Sequence, residues 1–294
     1  MGEVEDTISL VDPNRKELDM IFNFSHTDVD NYLGVKYFYR KFKLKRFKKR
    51  LAKYQYGLYQ KGWNSLFLEN HDQRRSTGRY GTVERGPLSL ESAKSLAVSY
   101  FFLQGTPFIY QGQEIGMRNP SFKSIDDYQD VELKNMYKMC ENNGFVKALI
   151  GKHIFDVSRD NARTAMQWDD TEYFGFSKVK PWLNGTSDNK DRNVKDELND
   201  KDSLLNFYKK IIEIRKNYPV VIDGKFDLLH KNNPNLFIYT RTLNNEQLLV
   251  ICSFAKKEVK CPIKDLSNYQ LLLSNYEEHK ANFQPFECRI YIKH

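Results

Sequence analysis

The sequence predicts an α/β protein in which a parallel α/β domain is followed by a smaller all-β domain. Strand-like apolar runs alternate with amphipathic helical patterns between residues 18 and 116, as is typical of parallel strands joined by crossover helices. Beyond Pro219 the pattern changes to short alternating runs separated by turn residues, which indicates antiparallel strands. The 294 residues, of which 40% are hydrophobic, are sufficient to bury a core in each part.

Three apolar runs predict the parallel strands. They cover residues 18–24 (LDMIFNF), 63–68 (WNSLFL) and 108–110 (FIY). Their nearly continuous apolar character is typical of strands that are buried on both faces.

Helical spacing predicts the segments between these strands. Five apolar residues from Leu44 to Leu58 recur at spacings of 3, 4, 3 and 4, which predicts an amphipathic helix over about 40–60. Ser89, with Glu91 in the first turn, is predicted to cap a second helix, which ends at the following Gly-Thr-Pro turn.

The next segment, residues 119–200, contains no strand-like run and is predicted to be an insertion over the α/β domain. A helix is expected within it, around residues 129–142. A further helix is capped by Asp202-Ser203 and ends before Pro219.

The change of pattern places a domain boundary near residue 218. Residues 1–218 are predicted to form the α/β domain and residues 219–294 an antiparallel β domain. Asn244-Asn245 is typical of a hairpin turn between two of its strands. The predicted strands cover residues 226–229, 236–243, 247–254, 259–262, 269–273 and 288–292.

The chain is basic, with a formal net charge of +8, and ten basic residues lie between Lys36 and Lys53. Such a stretch is typical either of a nucleic-acid-binding helix or of a solvated helix face. The helical spacing of the intervening apolar residues favours the solvated face, and no zinc-finger, helix-turn-helix or RNA-binding signature accompanies it. Nucleic acid is therefore not an expected partner, and steep salt-dependent binding to DNA would indicate the alternative.

Four cysteines without a CxxC pair are typical of reduced, mostly buried thiols rather than of a disulfide or zinc framework. No apolar run approaches the roughly 18 residues that span a membrane. The acidic start lacks the apolar segment of a signal peptide. We therefore expect a cytoplasmic protein with no membrane partner, no cofactor and no metal site.

The candidate active site is the polar tripeptide Asn70-His71-Asp72, which follows the second predicted strand. In parallel β/α barrels, catalytic residues lie at the C-terminal ends of the strands. Asp72 is therefore a candidate active-site carboxylate, and His71 is its neighbour. A strand end with a helix cap is the alternative interpretation.

Five motifs occur in order along the chain: WNSLFLENHD, GTPFIYQGQEIGM, SRDNARTAMQWDD, GFS and PWL. As an ordered set they resemble the alpha-amylase family of glycoside hydrolases (family 13), in the branch of oligo-1,6-glucosidases, dextran glucosidases and trehalose-6-phosphate hydrolases. The resemblance implies an eight-stranded β/α barrel followed by an antiparallel β domain. The chain would supply the second half of this (β/α)8 barrel. Its fifth strand would end at Glu3, and the three runs above would be the sixth, seventh and eighth strands.

The resemblance also implies the chemistry of a retaining glycosidase, in which a nucleophilic carboxylate and an acid/base carboxylate lie about 5–5.5 Å apart. By motif match, Glu3 is the general acid/base and Asp72 stabilises the transition state. His71 and Arg159 bind the sugar, with Arg159 also binding the Asp72 carboxylate. Glu132 contacts the next sugar along.

Three of these assignments have a structural alternative. The alternative for Glu3 is a disordered terminal glutamate, and for Glu132 it is a carboxylate on a helix surface. For Arg159 the alternative is a structural salt bridge with Asp160.

Parts of the family pattern are missing or altered. No stretch matches the fourth-strand motif that carries the nucleophile, or the strands expected before Glu3. Gln113 stands where the family has Glu, and Ala165 where it has Pro. Arg74 replaces the Pro usual after His-Asp-Gln. The arginine side chain would alter the mouth of the pocket or contact a phosphate. Neutral drift without a functional effect is the alternative.

The sequence thus predicts a fragment of a retaining exo-alpha-glucosidase that removes terminal alpha-linked glucose from oligosaccharides or from trehalose-6-phosphate. The expected partners are a small oligosaccharide substrate and the missing N-terminal half barrel. The chain alone is predicted to be inactive, because the covalent step needs the nucleophile, and poorly soluble, because a half barrel exposes a strand edge. The alternative is a non-catalytic alpha-amylase-like partner protein.

Overall fold

The structure, a computed structural model, describes residues 4–32, 35–80, 89–151, 153–183, 185–186 and 188–294. The helices in these residues are α1 Val4–Ser9, α2 Leu44–Leu58, α3 Ser76–Tyr80, α4 Leu90–Phe101, α5 Val131–Asn142, α6 Gly144–Ile150, α7 Val194–Asn199, α8 Leu204–Asn217 and α9 Val220–Asp223. The strands are β1 Asn31–Tyr32, β2 Val35–Tyr39, β3 Ser65–Leu66, β4 Thr106–Pro107, β5 Lys225–Leu229, β6 Leu236–Leu243, β7 Glu246–Ser253, β8 Val259–Lys260, β9 Gln270–Ser274, β10 Asn282–Phe283 and β11 Cys288–Lys293.

Three short parallel segments form the centre of the α/β part. β3 pairs with β4 in parallel, with Ser65 opposite Thr106. On the other side of β3, Ile21 forms a parallel bridge to Asn64. The prediction of three parallel segments is confirmed, but the third is displaced, because β4 covers Thr106–Pro107 and lies just before the predicted run 108–110. The regular ladder covers only one or two residues in each segment.

Because side chains alternate along a strand, this parallel set has two different faces. Ile21, Leu66 and Leu68 lie on the face that packs against the helices, and each is at most 3% exposed. Phe22 and Phe108 lie on the opposite face and are 50% and 37% exposed. One face therefore belongs to the core, and the prediction that these segments are buried on both faces is wrong at Phe22 and Phe108.

The two predicted helices cover the buried face. The Ser89 hydroxyl accepts a hydrogen bond of 3.2 Å from the backbone N–H of Ser92, so α4 begins with the predicted serine cap. On α2, the predicted apolar stripe is buried, including Phe47 and Leu51. Both helix predictions are confirmed.

The C-terminal part is a five-stranded antiparallel sheet in the order β5-β6-β7-β11-β9. Asn244, with φ of 53°, lies in the two-residue turn between β6 and β7, as predicted. All the predicted strands occur, with bounds that differ by no more than two residues. One further strand, β10, was not predicted from the sequence; it pairs with β8.

The sheet and the helices of the α/β part share one apolar core. Phe237 and Val250 of the sheet belong to the same cluster as Leu96 of α4 and Phe207 of α8. Residue 218 therefore marks a change of architecture within a continuous core. The division into two domains at this residue stays a prediction.

The predicted insertion contains α5, α6 and α7, of which the sequence analysis predicted α5. It also missed α1, α3 and the β1–β2 hairpin, which are too short for a periodic pattern to be recognised. Glu3 lies outside the described residues. Cys140, Cys252 and Cys288 are buried free thiols, as predicted, and Cys261 is a partly buried one. Among the described helices, none combines the length and the apolar character needed to cross a membrane.

Lys48, from the basic stretch on α2, connects the two parts of the molecule. Its side chain is fully buried, and its ammonium donates hydrogen bonds to the carbonyls of Asn233 (2.7 Å) and Leu236 (2.9 Å) and, at 3.4 Å, to that of His230. Burial lowers the pKa of Lys48 to about 8. One residue of the basic stretch is therefore structural, since it satisfies the carbonyls of the connection from β5 to β6.

Replacing Lys48 by Met keeps the length of the side chain but removes the donor, so buried carbonyls lose their partner. We expect Lys48→Met to lower the free energy of unfolding by about 2 kcal/mol in urea denaturation at pH 7. Lys49→Met, on the exposed side of the same helix, is the matched control and should change it by less than about 0.5 kcal/mol. Equal stabilities of the two variants would contradict the role of Lys48.

Candidate active site

Asp72 lies just beyond the C-terminal end of β3, where the sequence analysis placed it. The backbone N–H of Asp72 donates to the side-chain oxygen of Asn70 at 2.9 Å, which forms a tight turn between β3 and α3. The Asp72 side chain is 44% exposed. The turn thus presents a carboxylate to solvent at the end of a buried strand.

Two arginines converge on the Asp72 carboxylate. Arg163 Nη2 lies 3.0 Å from Asp72 Oδ1, and Arg163 Nε donates to the backbone carbonyl of His71 at 3.0 Å. Arg159 Nε lies 3.7 Å from the same Asp72 oxygen. His71 Nε2 lies 3.4 Å from Asp72 Oδ2. The carboxylate is therefore surrounded by donors from two separate stretches of the chain.

Glu132 extends this group. Arg159 Nη2 lies 3.1 Å from Glu132 Oε2, and Lys36 Nζ lies 2.7 Å from the same oxygen. Glu132 is in the first turn of α5, which begins at the capping carboxylate of Asp130. Arg159 thereby bridges two carboxylates that are 60 residues apart in the sequence.

The cap of α5 also fixes Arg159. Asp130 accepts hydrogen bonds from the backbone N–H of Arg159 (2.9 Å) and from the Ser158 hydroxyl (3.2 Å). Burial raises the pKa of Asp130, but these backbone donors and the others at the helix start outweigh it and leave the pKa below its usual value. Asp160 accepts from the backbone of Gln129 (2.6 Å) and Asp130 (2.8 Å). The carboxylate partners of Arg159 are Asp72 and Glu132, so the alternative of a salt bridge to Asp160 is wrong.

A buried carboxylate, Glu69, supports the turn from below. One Glu69 oxygen accepts from the backbone and hydroxyl of Ser76 (2.8 and 2.7 Å), and the other lies 3.0 Å from Arg75 Nη1. Arg75 donates in turn to the carbonyl of Gln111 at 2.7 Å. Glu69 and Arg75 are both fully buried. Their hydrogen bonds to Ser76 and to Gln111 satisfy the buried pair and connect the turn to the chain on either side.

A second buried carboxylate, Asp30, holds Arg74 and Arg79. Burial raises the pKa of Asp30, but the two guanidinium groups outweigh it and lower the pKa overall. Arg79 also donates to the side chain of Gln73 at 2.6 Å. Arg74, which departs from the family pattern, is therefore a buried partner of Asp30. This pairing argues against a phosphate contact by Arg74.

His26 is buried beneath the same strand end. Its Nε2 donates to the carbonyl of Phe67 at 2.5 Å. Burial lowers the pKa of His26 to about 4, against the opposing effect of the hydrogen bond to Phe67. His26 is therefore a neutral donor at pH 7.

A cleft of about 260 Å³ opens beside Asp72. Its lining residues are Asp28, Asn31, Lys36, Asp72, Gln73, Arg74, Arg79 and Val157. The charged side chains include three basic and two acidic groups, and all but Asp28 take part in the ion pairs described above. Because most of these charges are already paired, the cleft favours a neutral ligand that can form hydrogen bonds over a further ion.

The structure brings together four of the five predicted site residues: His71, Asp72, Arg159 and Glu132. The fifth, Glu3, lies outside the described residues. Sequence reasoning missed Arg163 and Lys36. Arg163 lies four residues after Arg159 in the same motif, so the motif itself was the signal. In the parts of the chain that the structure describes, no group of three or more His, Cys, Asp and Glu side chains could hold a metal ion.

Comparison with known proteins identifies similar sequences over nearly the whole chain. A family model described as "Alpha amylase, catalytic domain" matches residues 1–224. The chain is 43% identical over 294 residues to an oligo-1,6-glucosidase of Parageobacillus thermoglucosidasius, covering 97% of this chain and 52% of that protein. It is 38% identical over 298 residues to a trehalose-6-phosphate hydrolase of Bacillus subtilis, covering 98% of this chain and 53% of that protein.

Solved structures give the same result. The crystal structure of Bacillus licheniformis trehalose-6-phosphate hydrolase superposes with a TM-score of 0.91 and 37% identity, covering 99% of this chain and 54% of that one. An isomaltulose synthase from Klebsiella sp. LX3 superposes with a TM-score of 0.90 and 29% identity. The chain thus spans about half the length of the relatives it matches.

The two carboxylates Glu69 and Asp72 are expected to respond differently to neutralisation. Glu69→Gln leaves the buried Arg75 without its charge partner and should lower the free energy of unfolding by about 3 kcal/mol. Asp72→Asn changes a half-exposed group and should cost less than about 1 kcal/mol. Urea denaturation of both variants at pH 7 tests this, and a loss at Asp72 as large as at Glu69 would contradict it.

His26 predicts an acid dependence of stability. Its folded pKa of about 4 lies below its ordinary value, so the unfolded chain binds more protons between pH 6.5 and 4. The contribution of neutral His26 to the free energy of unfolding is fully present above pH 6.5. About 3 kcal/mol of it is lost as the pH falls from 6.5 to 4. His26→Gln, which keeps a donor for the Phe67 carbonyl, should flatten the pH dependence in thermal melts. His279→Gln, at an exposed position, is the control, and an unchanged slope in His26→Gln would refute the assignment.

Proposed function

Because the chain belongs to the alpha-amylase family, we propose that it supplies the sugar-binding half of the active site of a retaining exo-alpha-glucosidase. The observation that carries the proposal is the convergence of Arg163, Arg159 and His71 on the half-exposed carboxylate of Asp72. This group lies at a strand end and beside a cleft, which is where barrel enzymes of this type bind their substrates. The names of the relatives supply the substrate class.

In this proposal Asp72 accepts hydrogen bonds from the hydroxyls of the terminal glucose. Its negative charge favours the oxocarbenium-like transition state, and hydrogen bonds that strengthen as the charge develops lower the barrier. Arg163 and Arg159 fix the orientation of the carboxylate and donate to the sugar. Glu3 would serve as the general acid/base, and the nucleophile would come from the half of the protein that this chain does not cover.

Glu132 and Lys36 border the position that the next sugar would occupy. Arg74 and Arg79 both pair with Asp30, so neither of these two guanidinium groups is available to bind a phosphate in the cleft. We therefore propose short neutral oligosaccharides as the first substrate class and trehalose-6-phosphate, which one group of relatives is named for, as the second.

The proposal includes the architecture that the whole protein would have. Residues 1–218 would be the second half of a (β/α)8 barrel, with an insertion near 119–200, and residues 219–294 a separate antiparallel β domain in a cytoplasmic protein. The three parallel segments support the barrel part of this architecture, and the five-stranded sheet supports the β domain. The chain alone would be inactive because the nucleophile lies elsewhere. A non-catalytic alpha-amylase-like binding protein is the alternative.

The test is a fusion in which this chain is joined to the half of the P. thermoglucosidasius enzyme that it does not match. We expect the fusion to hydrolyse isomaltose or maltose, and the chain alone to show no turnover. Asp72→Asn in the fusion should reduce kcat by at least about a hundredfold, because it removes a charge that acts in the transition state. Trehalose-6-phosphate is assayed in parallel.

Lys49→Met in the same fusion is the control, because Lys49 is exposed on α2 and lies outside the site. Turnover by the isolated chain that Asp72→Asn abolishes would overturn the predicted inactivity. A fusion that folds and binds maltose without hydrolysing it would favour the non-catalytic alternative.

A further inference from the structure

Two of the four cysteines lie directly opposite each other in the C-terminal sheet. Cys252 is on β7 and Cys288 is on β11, and the antiparallel register of these strands pairs the two residues. Both are buried, and both belong to the apolar core that the sheet shares with the helices. Because opposite residues of an antiparallel pair project to the same face, the two thiols are neighbours within this core.

The hydrogen bonds around the two cysteines show which kind of antiparallel pair they form. The adjacent pair is hydrogen-bonded, since the Ser253 N–H donates to the Glu287 carbonyl at 2.8 Å. Hydrogen-bonded and non-hydrogen-bonded pairs alternate along the ladder, so Cys252 and Cys288 form a non-hydrogen-bonded pair. The Cys288 N–H accordingly donates to the side-chain oxygen of Asn275 at 2.7 Å instead of to β7. In such a pair the Cα atoms are about 4.5 Å apart, which is within the range of disulfide-bonded cysteines.

We propose that Cys252 and Cys288 form a disulfide when the chain meets a low-molecular-weight disulfide, and that this bond fastens β11 to β7. The bond lies in the C-terminal sheet and does not depend on the proposed function. Cys261 packs against the cluster on the opposite face of the sheet, and Cys140 lies in the cluster of the insertion. The folded geometry therefore selects this pair of cysteines over the others.

The reaction is a thiol–disulfide exchange in two steps. One protein thiol loses its proton, and its thiolate attacks the small disulfide to form a mixed disulfide and release one small thiol. The second protein thiolate then displaces the other small thiol and closes the bond between Cys252 and Cys288. Two electrons pass to the small disulfide, and the two protons of the protein thiols end on the two released thiols.

Burial determines when this exchange takes place. It raises the pKa of both thiols, so little thiolate forms at neutral pH while the sheet is closed. Cys252 and Cys288 are also at most 1% exposed, which keeps a small disulfide away from them. The bond therefore forms during folding or while the strands are open, and it is protected from reduction afterwards. A reducing compartment keeps the pair as thiols, and folding under oxidising conditions cross-links it.

The first experiment identifies the pairing by mass spectrometry. The full chain is unfolded in urea, refolded by dilution at pH 8 into reduced and oxidised glutathione, alkylated and digested with trypsin. Cleavage after Lys and Arg places the four cysteines on separate peptides, with Cys252 on 242–256 and Cys288 on 281–289. We expect these two peptides to be linked, in a product at least about tenfold more abundant than any other cysteine pair.

Chain entropy alone predicts a different product. Cys261 follows Cys252 much more closely in the sequence than Cys288 does, so an unfolded chain favours the shorter loop to Cys261. Predominance of a Cys252–Cys261 bond, or free Cys252 and Cys288 in the refolded protein, would overturn the proposal. Cys261→Ser removes the competing thiol and should leave the yield of the Cys252–Cys288 bond unchanged. Circular dichroism shows that each sample has refolded.

The second experiment measures the effect of the bond on stability. The bond closes the loop 252–288, which contains β8, β9 and β10, and so restricts the unfolded chain. We expect the urea midpoint of the oxidised protein to be about 1 M higher than that of the same sample treated with dithiothreitol. Cys288→Ser, which lacks one of the two thiols, is the matched control and should show one midpoint in both treatments. An oxidised midpoint no higher than the reduced one would refute the fastening of β11 to β7.

Discussion

The alternation of side chains along three short parallel segments is the constraint on which the rest of the molecule depends. It directs Leu66 and Leu68 into the core shared with the helices and the C-terminal sheet, and Phe67 to the opposite face, where its ring is buried beside that of Phe22. A shift of register by one residue would exchange the two faces. The strand then runs into the turn closed by Asn70 and Asp72, in which the alternation ends, Glu69 is buried and Asp72 is half-exposed, so the core and the site adjoin at the end of one strand.

Charged groups near the site differ in burial according to what they do. Glu69 and Asp30 are buried, and each is held by guanidinium groups and other donors, which fixes the backbone on both sides of the turn. Asp72 and Glu132 are half-exposed, and their partners Arg159 and Arg163 come from a separate stretch of the chain. Water can compete for these outer pairs, and so can the hydroxyls of a sugar. The buried pairs thus provide rigidity, while the outer group remains available for binding.

Much of this could be predicted from the sequence, for identifiable physical reasons. The strands of the C-terminal sheet were recognisable because their short runs alternate and are separated by turns such as that at Asn244. Asp72 was recognisable because polar residues follow an apolar strand. The pairing of Glu132 with Lys36 was not, because the two are 96 residues apart and meet through tertiary packing alone. The sequence also could not show which of Arg159 and Arg163 lies closer to Asp72. That distance depends on the short 3-10 helix Arg159–Ala162, which positions both side chains.

Two departures from the family pattern, Gln113 and Arg74, are accommodated by buried neighbours other than Asp72. Gln113 is buried, and its amide donates to the hydroxyls of Tyr100 (3.0 Å) and Tyr208 (2.9 Å). A glutamate there would have to accept from both phenols and would add a charge near the buried carboxyl of Glu114, whose pKa burial already raises. The neutral amide avoids that charge. Since Asp30 likewise satisfies Arg74, both substitutions fit the buried network and leave the exposed carboxylate of Asp72 unchanged.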